Sequence, residues 1–257
     1  VLPKLFSFGA FSLPTYGVLV ALAFLAALWL IGRLAKREGL DRDTVINLGV
    51  YCALAGIVGA KVLMIVLDPS YRAHPLEVFS LATLQSAGIF YGGFVAALFM
   101  AYFYMRRMDL PVLKTADIFA PGVALGHGIG RLGCFAAGCC WGRPSHLPWA
   151  VTFTSRDAQN VGVPLGIPLH PTQVYESLAE FAIAAVLYWL ALRSHKPGSV
   201  IGLYLVLYGI ARLIVEFFRA HDESNPLGLF LSLEQWISLV LAMAGIYLIL
   251  GRKPVFV

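Results

Sequence analysis

Charge is what this chain has least of. Only 13% of its 257 residues are Asp, Glu, Lys or Arg, 59% are hydrophobic, and the mean hydropathy is +0.78. Soluble domains carry about 25% charged residues, so a water-facing surface of ordinary composition is excluded and the chain reads as a polytopic membrane protein. Thiols are also few: there are four Cys and no CxxC pair. That argues against a zinc site of paired ligands and against a dithiol relay in its usual form. A basic face with interleaved aromatics is lacking, so no nucleic-acid partner is expected. Residues 1–14 lack the charged start, apolar run and small-residue cleavage site of a cleavable signal peptide. No internal repeat or low-complexity run divides the chain, so residues 1–257 read as one transmembrane domain.

What is present is apolar length. A bilayer core of about 30 Å needs about 20 apolar helical residues, and runs of that kind lie near 15–33, 45–67, 88–105, 117–137, 173–192, 199–218 and 231–250. The sequence therefore predicts an all-α integral membrane protein of about seven transmembrane helices. Alternate connections hold Arg33, Lys36, Arg37, Arg42, Arg106, Arg107, Lys114, Arg193, Lys196, Arg252 and Lys253, whereas the other side holds Lys4, Arg72, Arg143, Arg156 and Arg219. Positive charge marks the cytoplasmic side, which puts the N-terminus outside and the C-terminus in the cytoplasm. Two outward segments, 68–88 and 140–170, are rich in proline, aromatics and polar residues.

Three basic residues, Lys61, Arg131 and Arg212, fall inside predicted spans. An arginine there costs about 2.5–3.5 kcal/mol on insertion scales, and so marks a cavity or a task. In "LYGIARLIVEFFRAHD", Tyr208, Arg212, Glu216 and Arg219 recur at steps of four, four and three, on one predicted helical face, where Glu216 can pair with both arginines. The other reading of that face is a polar seam that only fixes helix packing. No carboxylate stands at helical spacing from Arg131 in "GIGRLGCFAAGCCWGRP". An unpaired arginine flanked by Gly130 and Gly133 suits a phosphate, which guanidinium binds through a bidentate fork; the alternative is an arginine snorkelling to the interface. In "LHPTQVYESLAE", His170 and Pro171 read as a helix start, and Gln173, Glu176 and Glu180 share a face that suits a cavity. His127 reads as a packing histidine. Tyr16 follows the Pro14 turn as an interfacial anchor or part of a headgroup site. The glycines of "SAGIFYGGFVAA" and "APGVALGHGIGRLG" suit close helix packing. Adjacent Cys139 and Cys140 are not expected to turn toward one metal. A membrane thiol oxidoreductase is a rival reading; small apolar cysteine in a glycine-lined helix is the other.

The stretches "TYGVLVAL", "GRLGCFAAGCCWGRP", "HPTQVYES" and "YGIARLIVEFFR" resemble, in this order, the signature regions of bacterial prolipoprotein diacylglyceryl transferases. The resemblance implies transfer of the sn-1,2-diacylglyceryl group from phosphatidylglycerol to the lipobox cysteine thiol of a preprolipoprotein signal peptide, in the bacterial inner membrane, with no metal or other cofactor. Arg131 resembles the arginine that holds the lipid headgroup, and Arg212 the second essential arginine near the reacting centre. Glu216 and Arg219 match neighbours in that motif, Tyr16 the tyrosine of the first helix, and Gly142 the glycine closing the signature. The candidate catalytic set is Arg131, Arg212, Glu216 and Tyr91. The candidate substrate-binding set is Tyr16, Gly92, Gly93, Gly133, Cys134, Gly142, His170, Gln173 and Arg219. Three departures stand out. Tyr91, in "GIFYGG", occupies the place of a family histidine proposed as base. Cys134, Ala137 and Cys139 replace two Asn and a Glu in a G-C-F…G-C-C variant of the signature, and Lys61 replaces an arginine. A paralogue with a different acceptor is the alternative these departures raise.

Overall fold

The structure is a computed structural model that describes residues 2–8, 11–73, 80, 83, 88–159, 161–220 and 231–251. An N-terminal hairpin, β1 (Lys4–Phe8) and β2 (Phe11–Pro14), precedes α1 (Thr15–Arg37) and α2 (Arg42–Leu67). The short α3 (Ser70–Ala73) follows, then α4 (Phe90–Arg107) and α5 (Val112–Ala137). A small antiparallel pair, β3 (Val151–Thr152) with β4 (Pro168–Leu169), brackets α6 (Arg156–Gln159). The chain ends in α7 (Thr172–Ala191), α8 (Ser199–Glu216) and α9 (Leu233–Leu250).

Each of the seven predicted runs contains a long helix among the described residues. Five of these helices, α1, α2, α7, α8 and α9, are long and apolar enough to cross a membrane. Exposed side chains on the long helices agree with that solvent: Phe90 and Phe99 on α4 and Leu250 on α9 are each more than 70% exposed, which apolar residues tolerate against lipid and not in bulk water. The hairpin was not foreseen, because an all-helical reading placed nothing before Thr15. Of the predicted outward segment 68–88, residues 74–79, 81, 82 and 84–87 lie outside the described residues.

The chain forms two compact units, residues 35–115 and the combination of 1–34 with 116–257. In the first, the Asp41 carboxylate accepts the Thr44 amide at 2.7 Å and its hydroxyl at 2.6 Å, capping α2. Lys61 donates to the Thr83 carbonyl at 2.6 Å. The α2–α4 contact is glycine-mediated: a Cβ on Gly92 would lie 2.5 Å from the Gly59 carbonyl oxygen, and one on Gly93 2.7 Å from that of Gly56. Backbone thus touches backbone, as small residues allow in membranes.

In the second unit α5 carries two different faces. Gly122 and Gly126 lie against Ile31, Ala27 and Ala23, and Gly133 lies under the Tyr16 ring, so α1 and α5 run antiparallel along a strip of small residues. The other face carries His127, Gly128 and Arg131 toward α7. Asp117, on the first turns of α5, is 2% exposed and accepts the Gly198 and Ile201 amides at 2.6 and 2.8 Å. A carboxylate there meets the positive end of the α8 dipole and satisfies two of its open donors.

Gly92→Val should lower stability by about 1–3 kcal/mol, the usual cost of overpacking, read as a drop in unfolding temperature in detergent. Unchanged unfolding would show that α2 and α4 do not meet through this glycine.

Candidate active site

The polar face of α5 and the first turns of α7 bond in antiparallel order. His127 Nδ1 lies 2.9 Å from Glu180 Oε1, the Ser177 hydroxyl donates to the Gly128 carbonyl at 2.8 Å, and Arg131 forms an ion pair with Glu176. Beyond the end of α5, Gln173 Nε2 donates to the Cys139 carbonyl at 2.6 Å and the Thr172 hydroxyl to that of Cys140 at 2.8 Å. Two i,i+4 pairs, His127/Arg131 and Glu176/Glu180, therefore interlock across two helices, with His127 facing Glu180 and Arg131 facing Glu176.

Glu176 is the centre of the constellation. It is 7% exposed and pairs with Arg131; Arg212 Nη1 is 3.4 Å and Arg219 Nη1 3.8 Å from its Oε1. Arg212 also pairs with Glu216 one turn along α8, and the Ser232 hydroxyl, which caps α9, reaches Glu216 Oε1 at 3.4 Å. Three guanidiniums thus converge on two carboxylates, leaving one formal positive charge. Arg131 is 9% exposed, and among the described residues its Nη2 is buried without a hydrogen-bond partner. A buried donor left unmet costs about 1–3 kcal/mol, a cost that an anionic oxygen would remove.

Two expectations are corrected here. Arg131 is not unpaired: its carboxylate comes from α7, 45 positions along the chain, where helical spacing within α5 could not reveal it. Arg219 is not on a helical face with Arg212 and Glu216, because α8 stops at Glu216. It continues in an extended stretch paired with Gly142, and the carboxylate it faces is Glu176.

That extended pairing closes the site. The Gly142 amide donates to the His170 carbonyl at 3.0 Å, the Arg143 amide to that of Phe218 at 2.8 Å, and Arg143 Nε to that of Arg219 at 3.1 Å. A Cβ on Gly142 would lie 2.6 Å from both His170 Cβ and the Phe218 oxygen, so only glycine fits. His170 Nδ1 is 3.2 Å from the Tyr175 hydroxyl, which accepts from Trp149 Nε1 at 2.8 Å. Behind this strap Phe153, Ala158, Val163 and Leu169 form a small buried cluster.

Arg131, Arg212, Glu216, Arg219, Tyr16, Gly133, Cys134, Gly142, His170 and Gln173 all belong to the unit 1–34 plus 116–257. Tyr91, Gly92 and Gly93 belong to the unit 35–115, where Tyr91 is 49% exposed at the start of α4 and the two glycines face α2. Sequence reasoning marked Glu176 for a cavity but left it, with His127 and Ser232, out of the candidate site. The signal that would have found the first two was the pair of matching i,i+4 spacings on α5 and α7. Cys139 and Cys140 also depart from expectation, since the Cys134, Cys139 and Cys140 sulfurs all lie within 4.8 Å of one another.

Apolar spans around buried arginine–glutamate pairs define a multi-pass membrane protein with a polar site in its helical interior. The chain belongs to the prolipoprotein diacylglyceryl transferase family, whose model matches residues 3–251. It is 36% identical over 245 residues, 95% of each chain, to the phosphatidylglycerol–prolipoprotein diacylglyceryl transferase of Clostridium tetani. Proteins of the same name from Methylobacillus flagellatus, 34% identical over 96% of this chain and 95% of theirs, and Serratia proteamaculans, 33% identical over 98% and 94%, are also similar.

Glu176→Ala should destabilise the protein by about 3–5 kcal/mol, because it leaves buried guanidinium charge uncompensated. Chemical unfolding in detergent tests this; a loss below 1 kcal/mol would mean that Glu176 does not bear the charge of these arginines.

Proposed function

We propose that the chain transfers the sn-1,2-diacylglyceryl group of phosphatidylglycerol to the lipobox cysteine of a preprolipoprotein, with the α5–α7–α8 cluster holding the phosphate. The observation that carries the site assignment is the excess of one positive charge among Arg131, Arg212, Arg219, Glu176 and Glu216, together with the buried, unmet Nη2 of Arg131. An anionic headgroup supplies the missing charge and the missing acceptor.

In the reaction the acceptor thiol loses its proton and the sulfur attacks the glyceryl carbon that bears the phosphate. The carbon–sulfur bond forms, the carbon–oxygen bond breaks with its electron pair on oxygen, and glycerol phosphate leaves. Charge grows on the departing phosphate, so fixed guanidiniums lower the barrier without reorganising. Cations also favour the thiolate over the thiol. Arg131 and Arg212 bind the phosphate in this reading, and Glu176 and Glu216 hold those guanidiniums in place. Arg219 and the Gly142 strap bound the headgroup, with Tyr16 over Gly133 beside it. Gly133, Cys134, His170 and Gln173 shape the same pocket. Tyr91 positions substrate; Glu216 or His170 takes the thiol proton. The protein works in the bacterial cytoplasmic membrane with its N-terminus outward. The skew of eleven basic residues against five across alternate connections supports that orientation.

The test uses purified protein, phosphatidylglycerol vesicles and a lipobox peptide, read by mass spectrometry. Arg131→Ala should lower thioether formation by at least about 100-fold, the scale of a lost charge-stabilising donor; normal turnover would refute the assignment. Tyr91→Phe should keep most of the rate, and loss of turnover there would make the phenol the base.

A further inference from the structure

The transfer chemistry makes no use of the protein's own thiols, yet three of its four cysteines converge. Alternation along an extended chain would send neighbouring Cys139 and Cys140 to opposite sides. Here Gly138 and Cys140 both have left-handed backbone, φ +86° and +59°, and fold the chain back on the end of α5. The Gly138 and Cys139 amides donate to the Cys134 carbonyl at 2.9 and 3.1 Å. A residue with a Cβ holds φ near +60° only where its surroundings fix it. Those surroundings are two fully buried side chains of α7, Gln173 and Thr172, bonded to the Cys139 and Cys140 carbonyls. Arg131 Nη1 lies 3.8 Å from Cys134 Sγ.

We propose that Cys134, Cys139 and Cys140 form a trigonal three-thiolate site for a soft monovalent ion, Cu(I). With metal–sulfur bonds of about 2.3 Å, three sulfurs in a plane around one ion stand about 4 Å apart. The present spacing, within 4.8 Å, needs side-chain adjustments of less than 1 Å. The cluster contains no histidine or carboxylate, so its donors are uniformly soft, which selects for Cu(I) over harder ions. A closed zinc site wants a fourth protein ligand; three thiolates satisfy Cu(I). Three thiolates and one monovalent ion retain two negative charges, and the Arg131 guanidinium lies beside them. Ion binding is measured without lipid, peptide or turnover, so its failure is distinguishable from a failure of the transferase reading.

The experiment titrates the reduced full-length protein in detergent with Cu(I), supplied as its acetonitrile complex, against a coloured Cu(I) chelator. One Cu(I) per chain should leave the chelator, and X-ray absorption should report three sulfur neighbours. Replacing all three cysteines by serine should weaken binding by at least about 100-fold, the upper range for changes outside a metal's first shell. Cys52→Ser should change nothing. Each single variant, Cys134→Ser, Cys139→Ser or Cys140→Ser, should lower the sulfur count to two, which keeps the test decisive if the triple variant misfolds. Binding retained in the triple variant, or two sulfurs around the ion in the unaltered protein, would overturn the site.

Discussion

Three arginines of the larger unit are arranged around the Glu176 carboxylate. It lies among apolar helices and faces three arginines from three parts of the chain: α5, α8 and the extended stretch after α8. Burying one such arginine costs about 3 kcal/mol on insertion scales. An opposite charge at 4 Å offsets about 4 kcal/mol even at an effective dielectric of 20, so each arginine is tolerated only beside a carboxylate. Full neutralisation would make the cluster a structural ion-pair network and nothing more. Among Arg131, Arg212, Arg219, Glu176 and Glu216 one positive charge stands in excess, and an anion is the simplest means of compensating it.

The helices show how such a cluster is held. On α5 the glycines at 122, 126 and 133 lie toward α1, while His127, Gly128 and Arg131 lie toward α7. Close approach on the first face fixes the rotation of α5 about its axis, and that rotation aims Arg131 at Glu176. Asp117 anchors the start of α8, and Ser232 links the start of α9 to Glu216 near the end of α8. The arginines are thereby fixed from both ends of their helices.

Helix positions were legible because membrane spans announce themselves by length and hydropathy; Thr15, Arg42 and Thr172 all begin helices within a few residues of the expected limits. The hairpin at Lys4–Pro14 was not, since a two-stranded pairing of a few residues leaves no periodicity long enough to stand out. Arg131, Arg212 and Glu216 were legible because an ionisable residue in an apolar run is costly and therefore informative. Their partners were harder to see. Spacing rules report only neighbours on the same helix, so they found Arg212–Glu216 and missed Arg131–Glu176. They also carried the α8 face three residues too far, to Arg219, because nothing in "VEFFRAHD" marks the helix as ending at Glu216.

The cysteines show the same limit from the other side. Sequence spacing made Cys139 and Cys140 poor co-ligands, a conclusion that assumes ordinary backbone between them. Left-handed residues at 138 and 140 remove that assumption, and buried Gln173 and Thr172 hold the resulting turn by its carbonyls. Those two side chains precede Glu176 on the same helix, within its first turn. The segment that presents a carboxylate to the arginines is therefore also the one that shapes the thiol cluster. A change at the start of α7 is felt at both places, which couples the thiols to the arginine site through one rigid turn of helix.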